Sequence, residues 1–141
     1  MMVKICGLRR PEDADAAIGL GATHIGVVLA QDSPRCATRA QAREIADVAR
    51  GVAKVVLVFR RETDGVIRAA CDAIGVARLQ VHGAERSRCE LLAAEGLLPT
   101  QVLRVEPEAT SLPEFAEPPT DRVPALLDGG AGGAGQSCSW A

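Results

Sequence analysis

A thiol, an imidazole, a carboxylate and several cations stand in this sequence where apolar runs stop. Cys6 and Gly7 lie near the end of "VKICGL", a run that also carries Lys4, and Asp32 to Arg35 follow "THIGVVLA". Arg60 and Arg61 follow "AKVVLVF", His82 and Gly83 end "LQVHG", Arg104 lies in "TQVLRV", and Asp128 ends "VPALLD". Thiol, imidazole and carboxyl groups are the side chains that move protons near neutral pH, while guanidinium and ammonium groups hold anions. Lysine and cysteine need a reason inside a strand-like run, because strands bury best as apolar runs. Either they sit on a wetted face or they do chemistry. Each residue also has a bland reading. A lone cysteine is ordinarily a small hydrophobe, Asp128 can cap the next element, and Arg35 can be a surface cation. His82 can be a satisfied histidine, and Lys4 the partner of a carboxylate.

Two alternating apolar periods position these residues. "MVKICGL" reads as a strand and "RPEDADAAIGLG" as a helix. Pro11 stands in that helix's first turn, Glu12 and Asp13 suit its amino end, and Gly19 or Gly21 can end it. "THIGVVLA" is a second strand, and a helix near "TRAQAREIADVAR" takes Thr38 as its N-cap. "AKVVLVF" is the strongest strand, continuously apolar from Val55 to Phe59 as burial on both faces requires. "ETDGVIRAACDAIG" is helical, "ARLQVHG" a strand, "AERSRCELLAAEG" a helix and "TQVLRV" a fifth strand. A short helix over 109–117 and a sixth strand, "VPALLD", precede the glycine loop. Strand and helix in alternation predict a parallel sheet covered by helices. Both a doubly wound open sheet and a (β/α)8 barrel have this period, and both place active residues at the carboxyl ends of their strands. The barrel needs at least about 200 residues, and this chain has 141.

Composition narrows the class. Hydrophobic residues make up 48% and charged residues 24%, with a net charge of −2, as in ordinary globular proteins with one core. The near-neutral charge and 2% aromatic content give neither an electrostatic footprint nor stacking platforms for nucleic acid. No apolar stretch reaches the roughly 18 residues of a membrane span, and the amino terminus enters a strand pattern with no signal-peptide architecture. Cys6, Cys36, Cys71, Cys89 and Cys138 are widely spaced and form no CxxC pair, so reduced thiols in a cytoplasmic protein are expected in place of disulfides or a zinc site. The loop "DGGAGGAGQS" could let backbone amides approach a phosphate. It lacks the Gly-Lys-Ser/Thr of a P-loop, however, and is a weak nucleotide signature by itself.

Five stretches together are more specific. "KICGLRRPEDA", "GATHIGVVLAQDSPR", "VVLVF", "LQVHG" and "LLDGGAGGAGQSCSW" occur in an order and spacing that resemble the phosphoribosylanthranilate isomerases of tryptophan biosynthesis. The resemblance implies an α/β fold of the (β/α)8 TIM-barrel class. Residues 1–141 would form a single incomplete barrel domain with about the first six strands. Strands seven and eight, whose loops form the family's phosphate site, would be missing, so a fragment of a longer chain is expected. The implied reaction is an Amadori rearrangement, in which an N-aryl aminoaldose phosphate becomes an aminoketose, with no metal and no organic cofactor.

Carried over residue by residue, the resemblance makes Cys6 the general base and Asp128 the general acid. A carboxylic acid can protonate the ring oxygen as the furanose opens, and a thiolate, favoured by a cation such as Lys4, can take the acidified C2′ proton. Arg35 would grip the anthranilate carboxylate. Gln80, His82, Lys4, Gly132 and Gly133 would line the substrate pocket. Ser139, where the family usually has an aspartate, and Gln136, where it usually has a basic residue, depart from the pattern. The implied partner is a small phosphorylated sugar-anthranilate substrate, without nucleic acid or membrane, acting in the cytoplasm as a monomer or homodimer. Fusion to, or association with, other tryptophan-pathway enzymes stays open. One alternative is a sugar-phosphate isomerase of histidine biosynthesis, which Cys6 disfavours because an aspartate is expected there. The other is an inactive or partner-completed half-barrel remnant.

Overall fold

The computed structural model describes residues 1–105 and 118–129. The helix expected over 109–117 and the loop with Gly132, Gly133, Gln136, Cys138 and Ser139 lie outside the described residues. The chain divides into two units, Met1–Gln80 and Val81–Ala141. Within each unit, neighbouring strands follow one another in sequence order.

The first unit runs β1 (Lys4–Cys6), α1 (Pro11–Gly19), β2 (His24–Val28), α2 (Arg39–Ala49), β3 (Lys54–Phe59), α3 (Asp64–Ile74) and the start of β4 (Arg78–His82). β1, β2 and β3 pair in parallel, with Lys4 level with His24 and His24 level with Lys54. Two residues on, Cys6, Gly26 and Val56 share a level. Because side chains alternate between faces of a strand, these two levels project from one face. Strand residues Ile25, Val27, Leu57 and Phe59 and helix residues Ala42, Ile45 and Ile67 are almost wholly buried and form the core. As expected, Val55 to Phe59 is buried throughout.

Helix ends follow their local chemistry. Pro11 opens α1 with Glu12 and Asp13 in the first turn, and Gly21 leaves it at φ +97°. Thr38 is the N-cap of α2. Its Oγ1 accepts from the Gln41 amide at 3.2 Å, and Gln41 Oε1 accepts from the Thr38 amide at 2.9 Å, a reciprocal pair that satisfies two otherwise orphan donors. α3 starts behind Thr63 and stops at Gly75, which takes the left-handed conformation at φ +78°.

The second unit continues from β4 through α4 (Arg86–Ala94), β5 (Leu98–Val105) and β6 (Ala125–Gly129), with β5 and β6 parallel and Arg104 level with Asp128. β5 begins at Leu98, before the expected Thr100, and takes in a buried Pro99, which a strand tolerates near its first residue. α4 has no side-chain cap. Guanidinium groups tie this unit instead. Arg86 donates to the Val123 carbonyl at 3.0 Å, to Thr120 Oγ1 at 3.2 Å and to Glu90 at 3.0 Å, and Arg122 donates to the Ala93 carbonyl at 2.9 Å. No described helix is long and apolar enough to cross a membrane.

Candidate active site

In the first unit the chemistry centres on Cys6, at the carboxyl end of β1. Its side chain is half-buried and packs on Val28, Ala30 and Val58, so the thiol rests on an apolar bed. Room for it comes from Gly26, its neighbour on β2. A Cβ on Gly26 would stand 2.6 Å from Cys6 Sγ, well inside contact distance. Gly26 also fixes the turn that follows, since its carbonyl accepts from the Gly7 amide at 2.8 Å and the Leu8 amide at 3.3 Å.

Gly7 has φ +88°, and Arg35 lies over it. A Cβ there would fall 2.8 Å from Arg35 Cδ and 2.9 Å from Nη1. Arg35 Nη1 donates to the Cys6 carbonyl at 3.4 Å, which brings a guanidinium to the end of the thiol's strand. The "DSPR" turn delivers it there: the Ser33 amide donates to the Ala30 carbonyl, and the Arg35 amide donates to Ser33 Oγ at 3.2 Å. Lys4 shares the face of Cys6, and its ammonium donates to Gln80 Oε1. Gln80 is the one polar or charged side chain that is buried among the described residues. The partner of Lys4 is therefore a carboxamide and not a carboxylate, and the bond leaves the lysine charge uncancelled.

Neighbouring loops engage one another. Arg60 Nη1 lies 3.7 Å from Asp32 Oδ1, and the Glu62 carboxylate accepts from the Arg60 amide at 2.8 Å and the Gln31 amide at 3.2 Å. Arg61 is exposed. The other described thiols are unlike Cys6 in setting. Burial, with help from Asp72, pushes Cys71 up to about 11. Burial and the carboxylates of Glu62 and Asp32 also raise Cys36, outweighing the opposing pull of Arg9, and Cys89 is fully buried. These three are suited to packing.

The second unit holds the carboxylate. Asp128 stands near the carboxyl end of β6, with Oδ2 3.5 Å from His82 Nδ1. Both side chains are partly open, 24% exposed for His82 and 29% for Asp128, so the couple can meet a ligand and exchange protons with it. Arg104 projects from the same sheet face at the level of Asp128. Of the residues singled out in the sequence, Cys6, Lys4, Arg35 and Gln80 gather in the first unit, and His82 and Asp128 in the second. Sequence reasoning missed Gly26 and Glu62. A glycine inside the β-branched run "HIGVV" is the signal for Gly26, because glycine within a strand often marks a close approach. Glu62 had none.

Strands that alternate with helices and pair in sequence order, where a doubly wound sheet reverses its order, mark an α/β protein of the (β/α)8-barrel class. The crystal structure of phosphoribosyl anthranilate isomerase from Thermus thermophilus matches it with a TM-score of 0.82 and 31% identity, over 96% of this chain and 66% of that one. The family model described as N-(5'phosphoribosyl)anthranilate (PRA) isomerase matches residues 3–141, and the chain belongs to that family. A curated relative from Dechloromonas aromatica (strain RCB), N-(5'-phosphoribosyl)anthranilate isomerase, is 38% identical over 98% of this chain and 66% of its own length. A phosphoribosyl anthranilate isomerase solved in complex with reduced 1-(o-carboxyphenylamino)-1-deoxyribulose 5-phosphate matches with a TM-score of 0.74 at 25% identity, covering 93% of this chain and 66% of that one. The chain thus spans just under two thirds of the length of the first of these relatives.

Proposed function

We propose that this chain carries the acid and base of an N-(5′-phosphoribosyl)anthranilate isomerase acting in tryptophan biosynthesis in the cytoplasm. The observation that carries the reading is the setting of Cys6. A thiol at a strand's carboxyl end has space reserved by Gly26, a guanidinium from Arg35 beside it and an ammonium from Lys4 on its face. Among the described thiols it alone has that environment, and a family relative holds a reduced form of the aminoketose phosphate.

The chemistry follows from these groups. Asp128, protonated, gives its proton to the furanose ring oxygen as the C1′–O bond breaks and the anthranilate nitrogen's lone pair forms an iminium. The iminium acidifies C2′–H, and the Cys6 thiolate removes that proton to give an enolamine. C1′ then gains a proton and the 2′-hydroxyl loses one, which yields the aminoketose with no net change in atoms or charge. Arg35 offers a planar fork to the anthranilate carboxylate. His82, beside Asp128, orients the carboxyl or a substrate hydroxyl, and Lys4 and Gln80 contact the substrate. The glycines Gly132 and Gly133 belong to this reading as backbone contacts to the substrate.

The decisive test is Cys6→Ala in the 141-residue chain, assayed for turnover of N-(5′-phosphoribosyl)anthranilate, with circular dichroism to check folding. Turnover should fall by about 10³-fold with the fold retained. Unchanged turnover in a folded Cys6→Ala protein would remove the thiol from the mechanism.

A further inference from the structure

We propose that the amino-terminal ends of the first four strands form a binding site for a small phosphate-class oxyanion, held by Lys4, His24, Lys54 and Arg78. Catalytic groups of this fold stand at the opposite, carboxyl ends, and Lys4 is the one residue the proposal shares with the isomerase reading. The strand register places Lys4, His24 and Lys54 in one row on one sheet face. Arg78 opens the adjacent strand, β4. That is three cations and an imidazole at the starts of four neighbouring strands.

Nothing among the described residues neutralises them. Lys54 and Arg78 make no side-chain hydrogen bond or ion pair there, and the side-chain bond of Lys4 goes to a neutral carboxamide. The imidazole responds to this field. Burial, and then the charges of Lys54, Arg78 and Lys4, hold His24 below the usual histidine value.

Thr23 prepares the ring to receive an anion. Its hydroxyl accepts from the Val3 amide at 3.0 Å, lies 3.1 Å from the Val3 carbonyl and sits 2.9 Å from His24 Nδ1. All three contacts are satisfied together when the hydroxyl donates to the Val3 carbonyl and Nδ1–H donates to the hydroxyl. A bound oxyanion then draws a proton onto Nε2 and makes the ring a fourth cation. Arg78 contributes the fork that matches two oxygens of one phosphate.

Histidine-selective NMR of the 141-residue chain tests this directly, because the protein has only two histidines. Inorganic phosphate would be titrated against sodium chloride at matched ionic strength, to remove general screening. The His24 resonance should move with saturable phosphate dependence and its titration should shift to higher pH, while His82 stays as the internal reference. Lys54→Gln and Arg78→Gln, both at strand starts, should each weaken the apparent phosphate affinity by about tenfold. Three outcomes would overturn the site. One is a His24 response to chloride equal to that for phosphate. Another is a phosphate response confined to His82. The third is saturation unaltered in both variants. The wild-type titration alone decides the matter if a variant does not fold.

Discussion

The two units hold their reactive groups by different means. In the first, Cys6 stands on a half-buried strand but packs on an apolar bed that β2 and β3, buried over most of their length, help to supply, and α2 and α3, though not α1, start behind capping threonines. In the second, every residue of β6 is only half-buried, α4 has no side-chain cap, and guanidinium groups bonded to backbone carbonyls take over the tying. The difference fits the proposed roles, in which a thiol that takes a proton from carbon gains from a fixed position and a carboxyl group that exchanges protons with oxygen tolerates a wetter, polar frame.

Substitutions can break that contrast, and after Cys6→Ala the largest effect should come from Gly26→Ala. The new methyl would meet Sγ at 2.6 Å, so either the thiol or β2 must shift. Misplacing a reacting atom by about 1 Å costs on the order of 10²-fold in turnover, and overpacking of this kind destabilises by about 1–3 kcal/mol. Isomerase assays with urea melts would measure both, and full turnover in the Gly26→Ala protein would show that the thiol needs no reserved space. Arg86→Met strikes the other unit. It removes the donor to the Val123 carbonyl, to Thr120 and to Glu90. A loss of about 2 kcal/mol in urea is expected, with hydrogen exchange rising in β6 and unchanged in β2.

Smaller changes sharpen the comparison. Thr38→Ala should cost about 1 kcal/mol by removing a working cap. Glu85→Ser should gain about 0.5 kcal/mol by giving α4 the cap it lacks. Opposite small shifts in the thermal midpoint would show that capping differs between α2 and α4 as the geometry says. The smallest effect concerns pH. Because burial and nearby cations depress His24 in the folded protein, the unfolded chain takes up that proton first as pH falls. The stability this provides is complete above the ordinary histidine value of about 6.5 and is lost as pH falls through the lower, folded value. In phosphate-free buffer, wild type should therefore lose more stability than His24→Gln between neutral and mildly acidic pH, and parallel curves would contradict the assignment.

Much of this was readable from residue types. Thr38 as a cap, Pro11 in a first helical turn and the buried run Val55 to Phe59 follow from local chemistry, and each stands where expected. The positions of Cys6 and Asp128 near strand ends, and of Arg35 in the turn after the second strand, were legible because such groups are conspicuous against apolar runs. What local chemistry could not reveal was pairing over distance. Lys4 meets Gln80 across 76 residues of chain. No propensity or spacing encodes such a contact, and a carboxylate was the natural guess for its partner. Glu62 was hidden for the same reason, since its carboxylate bonds to the Gln31 amide 31 residues away. The start of β5 lay two residues before the expected Thr100, because the strand takes in a buried Pro99.

The Lys4–Gln80 bond has a consequence for the order of folding. It joins the first strand of its unit to the unit's last residue, so its loop spans nearly the whole unit. Closing a loop that long demands chain entropy that shorter contacts do not, and local helices and neighbouring strand pairs form ahead of it. During synthesis Lys4 leaves the ribosome long before Gln80 does, and its ammonium waits in solvent for the carboxamide. The bond is therefore a late lock. Its loss would leave the folding rate nearly untouched and quicken unfolding, the signature of a contact absent from the transition state.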